Sequence, residues 1–150
     1  MDRKISLLLI VLFFFGGVTY AQLPHFNWAK QVSSEIQVNS MVTDSMGNLY
    51  STGIFSGSPD FDPNSGVLIL TDSGFGDIFI SKTDPTGNLL WAKRIGGTSY
   101  DEGRSISIDA NGNCYVAGFF NLDSIDFDPG VNTFLMNSLT GENSFVLKLD

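Results

Sequence analysis

Short apolar runs with alternating polar positions follow one another along the chain, and turn residues separate them. Alternation with a period of two is typical of β-strands, because successive side chains of a strand point to opposite faces of a sheet. After residue 21 the sequence shows no convincing 3.6-residue apolar period of the kind that an amphipathic helix needs. The pattern predicts nine strands, at Ser40–Thr43, Leu49–Phe55, Val67–Thr71, Ile78–Thr83, Leu89–Ile95, Ser105–Asp109, Cys114–Phe120, Asn132–Met136 and Ser144–Leu149.

One turn signal, Asp-x-x-Gly-Asn, stands between predicted strands at residues 44–48, 84–88 and 109–113. Its aspartate can accept hydrogen bonds from the turn backbone, and its glycine supplies the positive φ that closes a type I turn with a bulge. Each signal therefore predicts a tight hairpin between the two strands that flank it.

The chain repeats itself at an offset that grows from 63 to 66 residues. Three segments return in order: WAKQV (28–32) as WAKRI (91–95), DSMGNLYSTGIF (44–55) as DANGNCYVAGFF (109–120), and DIFISKTD (77–84) as NSFVLKLD (143–150). A strand-rich unit repeated in this way predicts an all-β fold, a β-propeller-like array of repeated antiparallel blades. Because a four-stranded blade usually takes about 40–50 residues, the longer unit holds either an elaborated loop or a fifth short strand.

The N-terminus has the layout of a secretory signal peptide. Arg3 and Lys4 precede an apolar run over residues 5–18, and the small residues Thr19 and Ala21 frame a cleavage point. The run is about 14 residues long, shorter than the roughly 20 residues that a membrane-spanning helix needs. We therefore expect cleavage after residue 21, a secreted or cell-surface protein, and no membrane span once the signal is removed.

The repeat divides the rest of the chain. We predict a signal peptide at residues 1–21, a lead-in at 22–27, a first β repeat at 28–90 and a second, truncated β repeat at 91–150. A propeller closes with about four to eight blades, and two repeats are fewer than that. We therefore expect the 150 residues to be a fragment of a larger propeller, with further blades of the same chain.

Charge and reactive side chains exclude several classes of function. Residues 22–150 carry 6 basic and 15 acidic side chains, and this negative charge argues against nucleic-acid binding because it repels phosphate backbones. Cys114 is the only cysteine, so the chain forms no internal disulfide, and its strand-like surroundings predict a buried, inert thiol. His25 is the only histidine, so a multi-histidine metal site cannot be assembled.

The motifs of the second repeat resemble a known family. WAKRIGG at 91–97 and DEGRSISIDANGNCYVAGFF at 101–120 closely resemble the SBBP repeat, with its Gly-Gly, Asp, alternating strand, Asp-x-x-Gly-Asn and Tyr-Val-x-Gly. The first copy departs from the pattern, since QVSSEIQVNS at 31–40 replaces the Gly-Gly segment. The resemblance covers about residues 28–150 and implies a β-propeller repeat in an exported bacterial protein. The family carries no catalytic residues that could be transferred to this chain.

Aromatic residues also recur in register, and we expect them to pack between neighbouring sheets rather than to stack on sugars. The recurring pairs are Trp28 and Trp91, Tyr50 and Tyr115, Phe55 and Phe120, and Phe79 and Phe145.

The motif Asp-Phe-Asp-Pro, called the DFDP motif below, occurs at residues 60–63 and 126–129. In a strand-like Asp-Phe-Asp the two carboxylates point one way and the ring the other, so Phe61 and Phe127 are predicted to anchor the loops inward. A structural role is the first interpretation, and acid–base catalysis is the least favoured. Calcium is the second, because Ca²⁺ prefers clustered hard oxygens, although it takes 6–8 of them. The predicted calcium ligands are Asp60, Asp62, Asp126 and Asp128.

The sequence thus favours a non-catalytic, secreted or surface-exposed β-propeller repeat scaffold that binds an unknown protein or carbohydrate ligand through its loops. It predicts no cofactor apart from possible Ca²⁺. Two alternatives stay open: a calcium-stabilised, adhesin-like repeat protein, and the N-terminal part of an extracellular glycan-active enzyme whose catalytic residues lie outside this chain.

Overall fold

The structure, a computed structural model, describes residues 23–122, 124–138 and 140–150. The predicted signal peptide lies outside these residues. Every regular element in the described part of the chain is a strand, which confirms the all-β prediction. The strands are β1 Ile36–Thr43, β2 Leu49–Phe55, β3 Asp77–Thr83, β4 Leu89–Ile95, β5 Glu102–Ile108, β6 Cys114–Asn121, β7 Ser124–Asp126, β8 Leu135–Asn137 and β9 Glu142–Leu149.

The strands form two antiparallel sheets and a small ribbon. The first sheet has the order β1-β2-β3-β4, and the second has the order β5-β6-β9. The ribbon pairs β7 with β8. The sequence repeat places β5, β6 and β9 at the positions of β1, β2 and β3. The first sheet is completed by β4, whose residues 91–95 open the second copy of the repeat. The two sheets pack against each other and do not close into a ring within the described residues.

Seven of the nine predicted strands are present, and the two misplaced ones lie in the long loops. Val67–Thr71 forms only a single bridge, between Asp60 and Ile69. Asn132–Met136 is replaced by the three-residue β8, which pairs with the unpredicted β7. The alternating pattern gave wrong strands in the loops. There, side-chain carboxylates accept hydrogen bonds from backbone N–H groups that would otherwise pair with a neighbouring strand. The extra length of the repeat is therefore mainly an elaborated loop.

The three predicted hairpin turns share one hydrogen-bond pattern. Asp44 Oδ1 accepts from the backbone N–H groups of Met46 and Asn48, each at 2.9 Å. The turns that begin at Asp84 and Asp109 repeat both bonds. The turn glycines have φ values of 82°, 81° and 89°, a region that favours glycine. The turn prediction is confirmed in both mechanism and position.

A bulge near the start of the first strand of each sheet explains the glycine of Tyr-x-x-Gly. The register shifts between Val38 and Ser40 in β1, and the second sheet has the same shift in β5. A Cβ on Gly53 would lie 1.9 Å from the carbonyl oxygen of Gln37, and one on Gly118 would lie 2.0 Å from that of Glu102. Only glycine fits at this point, because the neighbouring backbone occupies the space of a side chain.

The main core lies between the two sheets. The first sheet contributes Ile78 and Ile80, both fully buried, and the second sheet contributes Val116 and Phe145. Cys114 belongs to this core, as predicted. Burial raises the pKa of its thiol to about 11, which keeps the thiol protonated and unreactive at neutral pH.

A second, smaller core lies on the opposite face of the first sheet. It contains Ile36, Phe55 and Phe79, which pack beneath Phe61 of the first DFDP motif. The loop between β2 and β3 therefore covers part of a sheet face that no neighbouring sheet covers among the described residues.

Across residues 23–122, 124–138 and 140–150, no helix has the length and apolar character needed to cross a membrane.

Candidate functional site

The two DFDP motifs fold into the same loop. Asp60 Oδ1 accepts hydrogen bonds from the backbone N–H groups of Asp62 at 3.0 Å and Leu68 at 2.8 Å. Asp126 Oδ1 accepts the equivalent bonds from Asp128 and Phe134, also at 3.0 and 2.8 Å. These donors hold the pKa of both carboxyl groups below their usual value. The first carboxylate of each motif therefore fixes the loop by bonding its backbone across eight residues.

The phenylalanine of each motif points inward, as the alternation predicted. The Phe61 ring lies 5.2 Å from that of Phe55 and 5.3 Å from that of Phe79. The Phe127 ring lies 5.3 Å from that of Phe120 and 4.9 Å from that of Phe145. Such pairs stabilise a protein by about 0.5–1.5 kcal/mol beyond area burial, so each loop is anchored to its own sheet by an aromatic triad.

The second carboxylate of each motif caps the turn that follows. Asp62 Oδ1 accepts from the backbone N–H of Asn64 at 2.8 Å, and Asp128 Oδ1 accepts from that of Gly130 at 2.7 Å. One oxygen of every predicted calcium ligand is therefore bonded to backbone.

Each DFDP loop therefore offers few free oxygens to a calcium ion. In the described part of the chain, no three His, Cys, Asp or Glu side chains are grouped so that they could hold a metal ion. A Ca²⁺ ion takes 6–8 oxygens, and each loop offers two carboxylates already engaged with N–H donors. The described residues explain the motif by its structural role, and calcium binding stays a prediction.

The second DFDP loop lies at the rim of the space between the sheets. Phe127 belongs to the core between the sheets, and Pro129 lines one cavity with Trp91 and Lys93 of β4. The second DFDP loop thus lies against β4, the outermost strand of the first sheet.

The first DFDP loop has a comparable neighbour in the N-terminal segment. Trp28 Nε1 donates to the carbonyl oxygen of Pro85 at 3.0 Å, and Lys30 Nζ donates to Asn64 Oδ1 at 2.5 Å. Pro63 lines an apolar groove of about 290 Å³ together with Trp28 and Met41. This groove crosses the outer face of the first sheet.

The sequence analysis did not predict the buried charge cluster that Asp77, Arg94 and Asp101 form. Asp77 is fully buried, and its Oδ2 accepts from the Arg94 guanidinium and from the Ser73 backbone N–H. Asp101, also fully buried, accepts from the backbone N–H groups of Gly97 and Asn121 at 2.9 and 3.1 Å. The cluster joins loops that are distant in sequence, so only a prediction of long-range contacts could have found it.

Burial raises the pKa of Asp77 although Arg94 opposes the shift, and the nearby Asp101 adds to the increase. The Oδ1 atom of Asp77 is buried and makes no hydrogen bond within the described residues. A Cβ on Gly96 would lie 2.3 Å from this oxygen. The carboxyl group is therefore enclosed by protein, so it serves as a structural tie rather than as an accessible acid.

The long loops present apolar side chains to solvent at one shared repeat position. Ile69 is 49% exposed, and Leu135, which lies 66 residues later, is 58% exposed. Other large apolar side chains of the two loops are also exposed, namely Val67, Phe75, Val131 and Phe134.

Comparison with known proteins supports the repeat. The model of the SBBP β-propeller repeat matches residues 90–118, a segment that runs from β4 through β5 into β6. An uncharacterized WD repeat-containing protein of Acanthamoeba polyphaga mimivirus is 27% identical over 119 residues, which cover 74% of this chain and 9% of the relative. This chain thus spans less than a tenth of that relative's length. No solved structure matches the chain significantly.

The resemblance noted in the sequence is confirmed where the family model matches, and the two stacked antiparallel sheets agree with it. Residues 90–118 thus match the SBBP β-propeller repeat, within an all-β fold of stacked antiparallel sheets.

Proposed function

We propose that the protein is an exported, non-catalytic scaffold that binds a protein ligand through the long loops of its repeats. The observation that carries this proposal is the identical use of the acidic side chains in both copies. Asp60 and Asp126 each accept two backbone hydrogen bonds that shape a loop. A carboxylate whose bonding is the same in every repeat serves the architecture of the loop.

The remaining reactive groups support a non-catalytic role. Cys114 is buried with a raised thiol pKa, and Asp77 is enclosed. His25 lies on the exposed lead-in before the first strand. General acid–base catalysis needs a titratable group within hydrogen-bond reach of a substrate, and the side chains of Cys114 and Asp77 are buried away from solvent.

Exposed loop residues supply the binding surface in this proposal. Ile69 and Leu135 occupy the same position in the two copies of the repeat, and both side chains are exposed. Exposure of an apolar side chain to water is unfavourable, so a shared exposed position is consistent with binding. Apolar side chains suit a protein surface better than a hydroxyl-rich sugar. Export follows from the sequence of residues 1–21, which has a charged start, an apolar run and a small-residue end.

The binding proposal is tested with two probes, a display library of random peptides and a glycan microarray. We expect retention of peptides rich in apolar residues, and a loss of at least about tenfold in the Ile69→Ser/Leu135→Ser variant. Met46→Ser/Leu90→Ser is the matched control, since both residues are exposed and lie outside the two long loops. Equal losses in the two variants, or retention by glycans alone, would contradict the proposal.

The non-catalytic part is tested with a panel of chromogenic glycosides, polysaccharides and casein. We expect no turnover above that of a buffer blank. Turnover that disappears in Asp60→Asn or Asp126→Asn would assign a chemical role to the DFDP carboxylates and would overturn the proposal.

A further inference from the structure

Two loops with exposed aromatic side chains meet at the end of the sheets that lies opposite the Asp-x-x-Gly-Asn turns. Residues 72–76 lead into β3, and residues 96–101 join β4 to β5. Phe75 of the first loop is 81% exposed, and Tyr100 of the second is 42% exposed. Both residues line one cavity of about 250 Å³. This cavity, called the aromatic cleft below, is also lined by Glu35, Gln37 and Ser56.

The loop that carries Phe75 is fixed against the loop that carries the tyrosine. A Cβ on Gly74 would lie 2.2 Å from the carbonyl oxygen of Thr98, so the two backbones pack directly against each other. On the other side of Phe75, the carbonyl oxygen of Gly76 accepts a hydrogen bond from the backbone N–H of Asp101 at 3.0 Å. The backbone on both sides of the exposed ring is therefore held in place.

The side chain of Tyr100 is also held in one orientation. Its ring stacks on that of Phe119, with the centroids 5.8 Å apart and the planes at 27°. Its hydroxyl donates to Glu102 Oε2 at 3.3 Å, and its carbonyl oxygen accepts from Asn121 Nδ2 at 2.8 Å. Groups that are already ordered lose less conformational entropy when a ligand binds. The aromatic cleft is thus suited to bind a ligand without rearrangement.

The charge of the aromatic cleft comes from a carboxylate. Glu35 lies at the end of the first sheet, where its carbonyl oxygen accepts from the Ser56 backbone N–H at 3.0 Å and its side chain accepts from the Ser33 hydroxyl. Within the described residues it forms no ion pair, and no basic side chain lines the cleft. Arg104 pairs instead with Glu102 at 3.5 Å. The cleft therefore has a negative charge and no cation of its own.

A carboxylate beside aromatic rings is suited to a cation. The face of an aromatic ring attracts a positive charge, and residues 22–150 carry 15 acidic and 6 basic side chains, which attract a basic partner over longer distances. The volume lies below the roughly 300–1,000 Å³ of small-molecule pockets, so it suits a single side chain. A guanidinium both stacks on aromatic faces and pairs with carboxylates, whereas a neutral sugar would leave the charge of Glu35 unpaired.

We propose that the aromatic cleft binds an arginine side chain of a protein ligand, with the guanidinium against Phe75 and Tyr100 and beside Glu35. The inference rests on the proposed function in one respect, since both take a protein as the ligand. The cleft does not include Ile69 or Leu135, so it is a second contact with its own chemistry. It selects a positive charge, whereas the long loops select apolar side chains.

A pair of peptides with blocked termini tests the charge selectivity. Gly-Ser-Arg-Ser-Gly is compared with the peptide that has citrulline in place of arginine, because citrulline keeps the shape of the side chain and lacks its charge. Each peptide is titrated into the ¹⁵N-labelled protein, and amide shifts are followed by NMR. We expect the arginine peptide to shift the amides of Glu35, Phe75 and Tyr100, and the citrulline peptide to bind at least about tenfold more weakly. Equal binding of the two peptides, or no shifts at these amides, would overturn the proposal.

A matched pair of double variants separates the cleft from general attraction to an acidic protein. Glu35→Gln/Phe75→Leu should weaken binding of the arginine peptide by at least about tenfold, because it removes the carboxylate and one ring from the cleft. Phe26→Leu/Glu142→Gln is the control, since it also removes one exposed ring and one exposed carboxylate but lies outside the cleft. The control should bind as the wild type does. Equal weakening by both double variants would contradict a specific site.

Cellotriose and chitotriose are titrated in the same way. Shifts of the cleft amides by either trisaccharide, without shifts from the arginine peptide, would overturn the proposal and assign the cleft to a glycan. The outcomes also distinguish this inference from the proposed function. Retention of glycans alone by the long loops, with arginine-dependent shifts intact, would contradict only the loop proposal. Retention of apolar peptides without arginine-dependent shifts would contradict only the cleft.

Discussion

Ile80 and Val146 occupy the same position in the two copies of the repeat, yet one is fully buried and the other is 79% exposed. Both lie in the third strand of a sheet, and both are β-branched side chains that suit a strand. The exposure of the two side chains differs because the second sheet covers Ile80, whereas no sheet among the described residues covers Val146. The repeat thus determines where an apolar side chain points, and the stacking of sheets determines whether that side chain is buried.

The opposite faces show the converse relation. Between the sheets, the second copy presents Val116 and Leu147. The first copy has Ser51 and Ser81 at these positions, on the outer face that no sheet covers among the described residues. The outer face of the first sheet is therefore less apolar than its buried counterpart in the second copy of the repeat.

The largest expected effect comes from truncating the covered side chain. Ile80→Ala should lower the free energy of unfolding by about 2–5 kcal/mol, because it removes buried methyl groups and leaves a cavity. Val146→Ala should change the free energy of unfolding by less than about 0.5 kcal/mol, because the Val146 side chain is exposed. Urea unfolding followed by tryptophan fluorescence measures both. Similar losses in the two variants would show that Val146 is covered within the monomer.

Glycine substitutions should affect the two sheets equally. Gly53→Ala and Gly118→Ala each place a Cβ about 2 Å from the carbonyl oxygen of a bulged strand, and overpacking of this kind costs about 1–3 kcal/mol. Ser51→Ala is the control in β2, because alanine replaces serine there without adding volume. Urea midpoints of the variants provide the comparison. A large difference between the two glycines would indicate that sheet stacking, rather than the local bulge, sets the requirement.

The DFDP carboxylates give a smaller expected effect that is again the same in both copies. Asp60→Ala and Asp126→Ala each remove an oxygen that accepts two backbone hydrogen bonds, so both variants should have a lower melting temperature than the wild type. Asp60→Asn and Asp126→Asn keep an acceptor oxygen and should lose less. Thermal melting in the presence and absence of millimolar Ca²⁺ completes the test. Stabilisation by Ca²⁺ that both Asn variants abolish would support the calcium prediction instead of a purely structural role.

Acid titration should give the smallest effect. Hydrogen bonds from the turn that begins at Asp84 lower the pKa of this carboxyl group from 3.8 to about 2. Its stabilising contribution is therefore complete above pH 3.8 and is lost as the pH falls towards 2. The turn acids Asp44 and Asp109 share the direction. Asp77 acts in the opposite sense, since its raised pKa makes stability fall as the pH rises above 3.8.

Melting temperatures between pH 2 and 6 measure this balance, and the Asp84→Asn variant should show a flatter acid limb than the wild type. An unchanged acid limb would mean that the turn carboxylate is not hydrogen-bonded in solution. Asp77→Asn serves as the matched comparison, because it should remove a contribution of opposite sign and leave the acid limb in place.

Short-range features were predicted well. The Asp-x-x-Gly-Asn turns close as expected because each needs only five consecutive residues. Phe61 and Phe127 point inward because alternation fixes their direction within a single motif. The strand predicted at Val67–Thr71 was wrong, because the backbone N–H of Leu68 donates to Asp60, eight residues earlier, instead of to a strand partner. The alternating pattern gives no sign of that bond.

Contacts between residues distant in sequence were not predicted. The ion pair of Asp77 with Arg94 and the burial of Asp101 bring together loops that precede β3, follow β4 and lead into β5. Asp101 belongs to the Gly-Gly and Asp pattern of the repeat motif, but that pattern does not show that Asp101 is buried or that it lies close to Asp77. Likewise, the repeat matched Trp28–Val32 to β4 but could not show that the segment lies against the first DFDP loop.

The sequence by itself determined the repeat, the all-β fold, the hairpin turns and the inward direction of the motif aromatics, because each follows from backbone preferences and periodicity within a few residues. Only the tertiary structure decided which sheet faces are covered, which carboxylates are buried and where the N-terminal segment lies. Those outcomes depend on which distant segments come into contact, and two copies with the same local pattern, such as Ile80 and Val146, meet different neighbours.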